Sequence, residues 1–177
     1  MTLLNRIFGG QKVATLAAGT KAPHFELPAL GGNKFSLQDA LTVGPVVAVF
    51  FKISCPVCQY AFPFFERLYK AHVGGKVTIV GISQNDAKET TQFLQRFGVT
   101  FPILLDDTST YAVSKAYGLT NVPTTFWIGR DGEIEISSVG WSKADVEEIA
   151  QKAAQENETT PQPLFQPAEN IAEFRPG

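Results

Sequence analysis

The stretch Val46-Val47-Ala48-Val49-Phe50-Phe51-Lys52-Ile53-Ser54-Cys55-Pro56-Val57-Cys58 decides how this chain is read. It opens with an unbroken apolar run rich in β-branched and aromatic side chains, as expected of a strand covered on both faces. It closes with two cysteines one helical turn apart. Beyond them Ala61, Phe62, Phe65, Leu68 and Tyr69 recur at helical spacing, as far as about Val73. Pro56 suits the first turn of that helix, where its missing N–H is not needed. A helix starting at or just after Cys55 turns its free amides and positive dipole end toward that sulfur, which favours thiolate over thiol. Cys58, a turn further in, is shielded and near enough to close a disulfide. No other cysteine is present, so the pair reads as a redox-active dithiol and not as part of a disulfide framework. The implied chemistry is thiol–disulfide exchange, in which Cys55 attacks and Cys58 resolves. A metal-binding or metallochaperone module is the rival of another class. Zinc would need further ligands, and His24 and His72 are not at ligand spacing. Copper would lack a methionine partner, since Met1 is the only Met.

Outward from this stretch, the chain alternates strands and helices. Val77 to Ile82 is a second buried strand, and a helix from about Asp86 carries Phe93, Leu94 and Phe97 on one face up to a stop at Gly98. Phe101 to Leu105 is extended, Ser109 to Tyr117 is helical, and Thr124 to Ile128 is a third strong strand. Arg130-Asp131-Gly132-Glu133 is a hairpin turn, with Ile134 to Val139 pairing back. Lys143 to Gln155 closes the series as a helix. N-terminal to it all, Ala22 to Pro28 is an extended arm ending in a turn at Gly31-Gly32. The order predicts an α/β fold whose mixed central sheet has a parallel core and an antiparallel edge hairpin. The expected organisation is an N-terminal arm over residues 1–18, one domain over 19–156 and a proline-rich tail over 157–177. Leu164, Phe165, Ile171 and Phe174 suggest that part of the tail packs on the domain.

With 177 residues, 44% hydrophobic, the chain can bury one sizeable core. A net charge of -2 gives nucleic acid no purchase. Near the N-terminus Leu3, Leu4, Ile7 and Phe8 are interrupted by Asn5 and Arg6, so neither a secretory signal nor an integral membrane segment is expected, and residence is expected to be cytoplasmic.

The dithiol after the first long strand, Val122-Pro123-Thr124 before the third, and the opening Gly19-Thr20-Lys21-Ala22-Pro23-His24-Phe25-Glu26-Leu27 together resemble the thioredoxin superfamily. The closer likeness is to its redoxin/AhpC–TSA and TlpA-like branches, over roughly Gly19 to Ala154. The resemblance implies a three-layer α/β/α thioredoxin-like fold and a thiol–disulfide oxidoreductase. It implies a cis bond before Pro123, which lies against the dithiol, and a Val122 backbone that pairs with the substrate peptide. Ser54, Pro56 and Val57 join them as expected substrate-contacting residues. The expected partners are a protein or small-molecule disulfide and a thiol reductant system. No cofactor or metal is called for.

The chain departs from the family at three positions. Ser54 stands where thioredoxins carry Trp, Val49 where they bury an Asp, and Ala61 where TlpA-like proteins often have Glu. Either acid would handle the proton of the resolving thiol. Lys52 is the nearest titratable residue upstream and the candidate stabiliser of a Cys55 thiolate. A thiol-dependent peroxidase with antioxidant activity is the alternative enzyme. Its Pro-x-x-x-Thr/Ser-x-x-Cys pattern would need Phe51 and Cys55, or Ala48 and Lys52, to be Pro and Thr/Ser, and neither placement matches.

Overall fold

The computed structural model describes residues 14–177, so the apolar residues at Leu3, Leu4, Ile7 and Phe8 lie outside the described residues. The arm forms β1 (Glu26–Pro28), which turns back antiparallel on β2 (Lys34–Ser36). A helix follows that the sequence reading did not include, α1 (Leu37–Val43). Ser36 caps it by accepting the Asp39 N–H at 3.2 Å, and Leu37 and Leu41 are its buried side chains.

The apolar run is β3 (Val46–Phe51), with every residue buried. Then come α2 (Pro56–His72), β4 (Thr78–Ser83) and α3 (Ala87–Phe97). Gly98 ends α3 in the left-handed region at φ 63°. β5 (Ile103–Leu105) is shorter than the extended stretch expected. The helix expected over Ser109–Tyr117 is only α4 (Ala112–Ala116). Asp107 diverts its start by accepting both the N–H and the hydroxyl of Ser109, and Tyr111 sits at φ 49°, outside helical geometry. β6 (Thr124–Ile128) and β7 (Ile134–Val139) form the hairpin, with Gly132 of the turn at φ 79°. Two-residue β8 (Trp141–Ser142) leads into α5 (Lys143–Glu156), and the tail ends in β9 (Phe174–Arg175).

The main sheet has the order β5-β4-β3-β6-β7. The β3–β4 and β4–β5 pairs are parallel, and the β3–β6 and β6–β7 pairs are antiparallel. β3 is thus central, and its alternating side chains divide the core. Val47, Val49 and Phe51 pack with Phe62 and Phe65 of α2, Phe93 of α3 and Ile149 of α5. Val46, Ala48 and Phe50 pack with Phe25 of the arm, Leu41 of α1 and Tyr117. The result is the three-layer α/β/α arrangement with a mixed sheet that the sequence implied. Among the described residues no helix is long and apolar enough to cross a membrane.

The tail folds back over α2 and α5. Leu164, Phe165 and Ile171 pack against the first of these core halves, and Arg67 grips Glu169 through two hydrogen bonds of 2.8 and 2.5 Å. Trp141 Nε1 donates to Ala172 O at 2.7 Å, and the Ala172 N–H donates to Tyr60 Oη at 3.0 Å. Phe174, expected to pack inward, is instead 59% exposed. It lies in β9, whose main chain pairs with β8.

Candidate active site

The loop after β3 is held by side chains from two neighbouring elements. Asn85 Oδ1 accepts the Ile53 N–H at 3.0 Å, and Gln59 Nε2 donates to Ile53 O at 2.9 Å. The Cys55 N–H closes a turn onto Lys52 O at 3.1 Å. These bonds deliver Cys55 to the N-cap of α2, at φ -80° and ψ 117°. There its sulfur accepts the Cys58 N–H at 3.3 Å, taking the place of the capping oxygen that most helices use. An amide donor and the positive end of a helix both stabilise negative charge on that sulfur.

The two thiols have different surroundings. Cys55 is part-exposed, while Cys58 is fully buried within α2's apolar face. Burial pushes the Cys58 thiol well above the usual range, and the Lys52 backbone amide opposes that in part. The Lys52 side chain is exposed, and among the described residues it makes no hydrogen bond or ion pair with Cys55.

The second half of the site comes from the loop before β6. The Val122–Pro123 peptide is cis, and the Cys55 thiol donates to Val122 O at 3.2 Å. Pro123 is buried and Val122 half-buried. Thr124 Oγ1 donates to Asn121 O at 2.7 Å and the Gly140 N–H to Pro123 O at 2.8 Å, which fixes the loop from both sides. Around Cys55, Ser54 and Pro56 are exposed and Val57 half-buried.

Val49 and Ala61, where relatives place an acid, are fully buried among apolar side chains. The buried carboxylate of α2 is instead Glu66, which the sequence reading missed. It accepts the N–H and hydroxyl of Thr100 at 2.7 and 2.5 Å, with Lys70 Nζ 3.3 Å away. Burial works to raise its pKa, but the Thr100 bonds and Lys70 outweigh it and hold the group below the usual carboxylate range. Glu66 is thus engaged in tying α2 to the approach to β5. Asn85 and Gln59 were also missed, because nothing local in the sequence marks a side chain that reaches into another loop. Among the described residues no group of three or more His, Cys, Asp or Glu is arranged to hold a metal.

Comparison with known proteins agrees with this geometry. The chain is 32% identical over 150 residues to the thiol-disulfide oxidoreductase ResA of Halalkalibacterium halodurans, covering 84% of this chain and 82% of that one. It is 31% identical to ResA of Bacillus subtilis, covering 75% and 72%. Among solved structures, a thiol:disulfide interchange protein of Chlorobium tepidum superposes with a TM-score of 0.64 at 26% identity, over 79% of this chain and 99% of that one. The thioredoxin domain of a thiol-disulfide oxidoreductase from Bacteroides vulgatus gives 0.69 at 21% identity, over 78% and 98%, a likeness of fold. The model of the AhpC/TSA family matches residues 18–137. That span runs from the arm through most of β7 and takes in both halves of the site, and on it the chain belongs to the AhpC/TSA family.

Proposed function

We propose that the protein is a thiol–disulfide oxidoreductase acting on protein disulfides, with Cys55 as nucleophile and Cys58 as resolving thiol. The observation that carries this assignment is the contact of Cys55 Sγ with Val122 O, 3.2 Å away beside the cis bond. A substrate chain laid along the Val122 main chain has its sulfur within reach of the half-exposed thiol. Ser54, Pro56 and Val57 supply the rest of that surface.

The Cys55 thiolate attacks one sulfur of the substrate disulfide. A bond forms between Cys55 and that sulfur, the substrate S–S bond breaks, and the second sulfur leaves as thiolate. Cys58 then loses its proton and attacks Cys55 Sγ. The Cys55–Cys58 disulfide forms and the first substrate sulfur is released. Two electrons pass from the dithiol to the substrate, and the two protons of the dithiol end on the substrate thiols. Run in reverse, the same steps oxidise a substrate dithiol.

Serine variants test the roles. Cys58→Ser, mixed with a disulfide-bonded polypeptide, is expected to accumulate a covalent mixed disulfide visible by mass spectrometry under non-reducing conditions. Cys55→Ser is expected to trap none. Equal trapping by both variants would overturn the assignment of nucleophile. Hydrogen peroxide consumption with a small thiol reductant is expected to stay at background, and turnover there would favour the peroxidase alternative.

A further inference from the structure

We propose that the chain from Ala172 to Gly177 is a specificity-determining wall of the dithiol site, which admits small disulfides freely and obliges polypeptide disulfides to displace it. The proposal rests on the reading of Cys55 and Val122 given above.

The wall is placed by two close approaches. Asn121 Nδ2 donates to Gly177 O at 2.8 Å. A Cβ added at Gly177 would stand 2.7 Å from Val122 O, the carbonyl that Cys55 Sγ contacts at 3.2 Å. Gly177 and the nucleophile therefore adjoin the same main-chain group, on the loop where a substrate chain has to lie. On its other side the tail adjoins Gly140. A Cβ there would meet Arg175 O at 2.5 Å and Gly177 N at 2.9 Å, and its φ of 80° also suits glycine. Nothing larger than hydrogen fits at either residue while the tail is down.

The contacts are graded along the segment. Ala172 is fixed at both main-chain atoms, to Trp141 Nε1 and Tyr60 Oη, and Glu173 O accepts the Lys143 N–H at 2.9 Å. Beyond Glu173 all the side chains are exposed. The last four residues are held by β9, by Asn121, and by the Arg175 guanidinium lying 3.8 Å over the Tyr60 ring. The segment thus has a fixed root at Ala172 and Glu173 and, from Phe174 to Gly177, a more lightly held tip that can lift. A small disulfide reaches Cys55 from solvent past Ser54 and Pro56. A polypeptide that pairs with the Val122 main chain needs the space of Gly177, so its apparent affinity falls by the fraction of time the tip is down.

The test compares the rate at which the reduced protein is oxidised by cystamine and by insulin, using the 177-residue chain, the same chain with Arg175→Ala and a chain ending at Glu173. Arg175→Ala is expected to raise the insulin rate about threefold, as loss of one cation–π contact allows. The shortened chain is expected to raise it about tenfold. Cystamine rates are expected to stay within about twofold of the unaltered 177-residue chain. Arg175→Ala keeps all the main-chain pairing, so it decides the matter if the shortened chain does not fold. An unchanged insulin rate in the folded variants would overturn the proposal. So would a slower insulin rate, which would make the tail part of the substrate's own binding surface, or equal acceleration by both substrates, which would make it an indiscriminate cover. If no form reacts with either disulfide, the thiol–disulfide reading itself falls.

Discussion

Cys55 keeps part of its surface in solvent, whereas Cys58 has none. That difference gives each sulfur its part. Burial raises the Cys58 thiol, so at neutral pH it stays protonated and hidden until Cys55 has reacted. In the reduced native protein at about pH 8, iodoacetamide is expected to modify Cys55 and spare Cys58. Peptide mapping checks this, and substantial native-state labelling of Cys58 would contradict the burial. Both cysteines were legible in the sequence, because they lie inside a local pattern of strand, dithiol and helix, whereas the cis peptide at Pro123 followed from the family resemblance and not from the proline's own neighbours. Asn85 was not. Its Oδ1 serves an amide 32 positions earlier in the chain, and only the fold reveals that pairing.

At the scale of elements, α2 carries the site and is fixed at two points. Its start is held by the loop around Ile53, and its third turn by Glu66, whose carboxylate serves both donors of Thr100. Glu66→Ala leaves the Thr100 amide without its partner, so it is expected to cost about 2 kcal/mol. That corresponds to a fall of about 6 °C in Tm in a chain of this size, with iodoacetamide reactivity at Cys55 little changed. A drop in that reactivity matching the loss of stability would show that the two anchored points of the helix are coupled. The long elements β3, α2, α3 and the β6–β7 hairpin were legible from periodicity and turn residues. The short ones were less so. α1 carries a capping signal in Ser36 and Asp39, but seven residues give too little periodicity to see. β8 and β9 owe their pairing to contact between residues more than 30 positions apart, which no window of sequence reports.

Across the whole molecule, stability is expected to fall with acid in two stages. Burial holds His72 below its ordinary 6.5, and its Nδ1 faces the Asn157 amide at 3.2 Å. The unfolded chain takes up that proton first, so this contribution is full above about 6.5 and is lost as pH falls below it. The hydrogen bonds from Arg67 hold Glu169 down to about 2, against an ordinary 4.5, and Glu66 is also lowered. Their contributions are full above 4.5 and are lost as pH falls through the folded values. Urea midpoints measured from about pH 8 to about pH 3 check this. His72→Gln is expected to flatten the first decline and Glu169→Gln to reduce the second; a midpoint constant down to about pH 5 would contradict the first stage. The antiparallel pairing of β3 with β6 has a consequence of another kind. The chain leaves one end of the sheet at Cys55 and returns to the same end at Val122, 67 positions later. Everything between is a closed excursion from the active end. A binding module or reporter spliced into an exposed turn of that excursion, such as Gly74, where an added Cβ meets nothing within 4 Å, would hang from the scaffold without separating the two lips of the site.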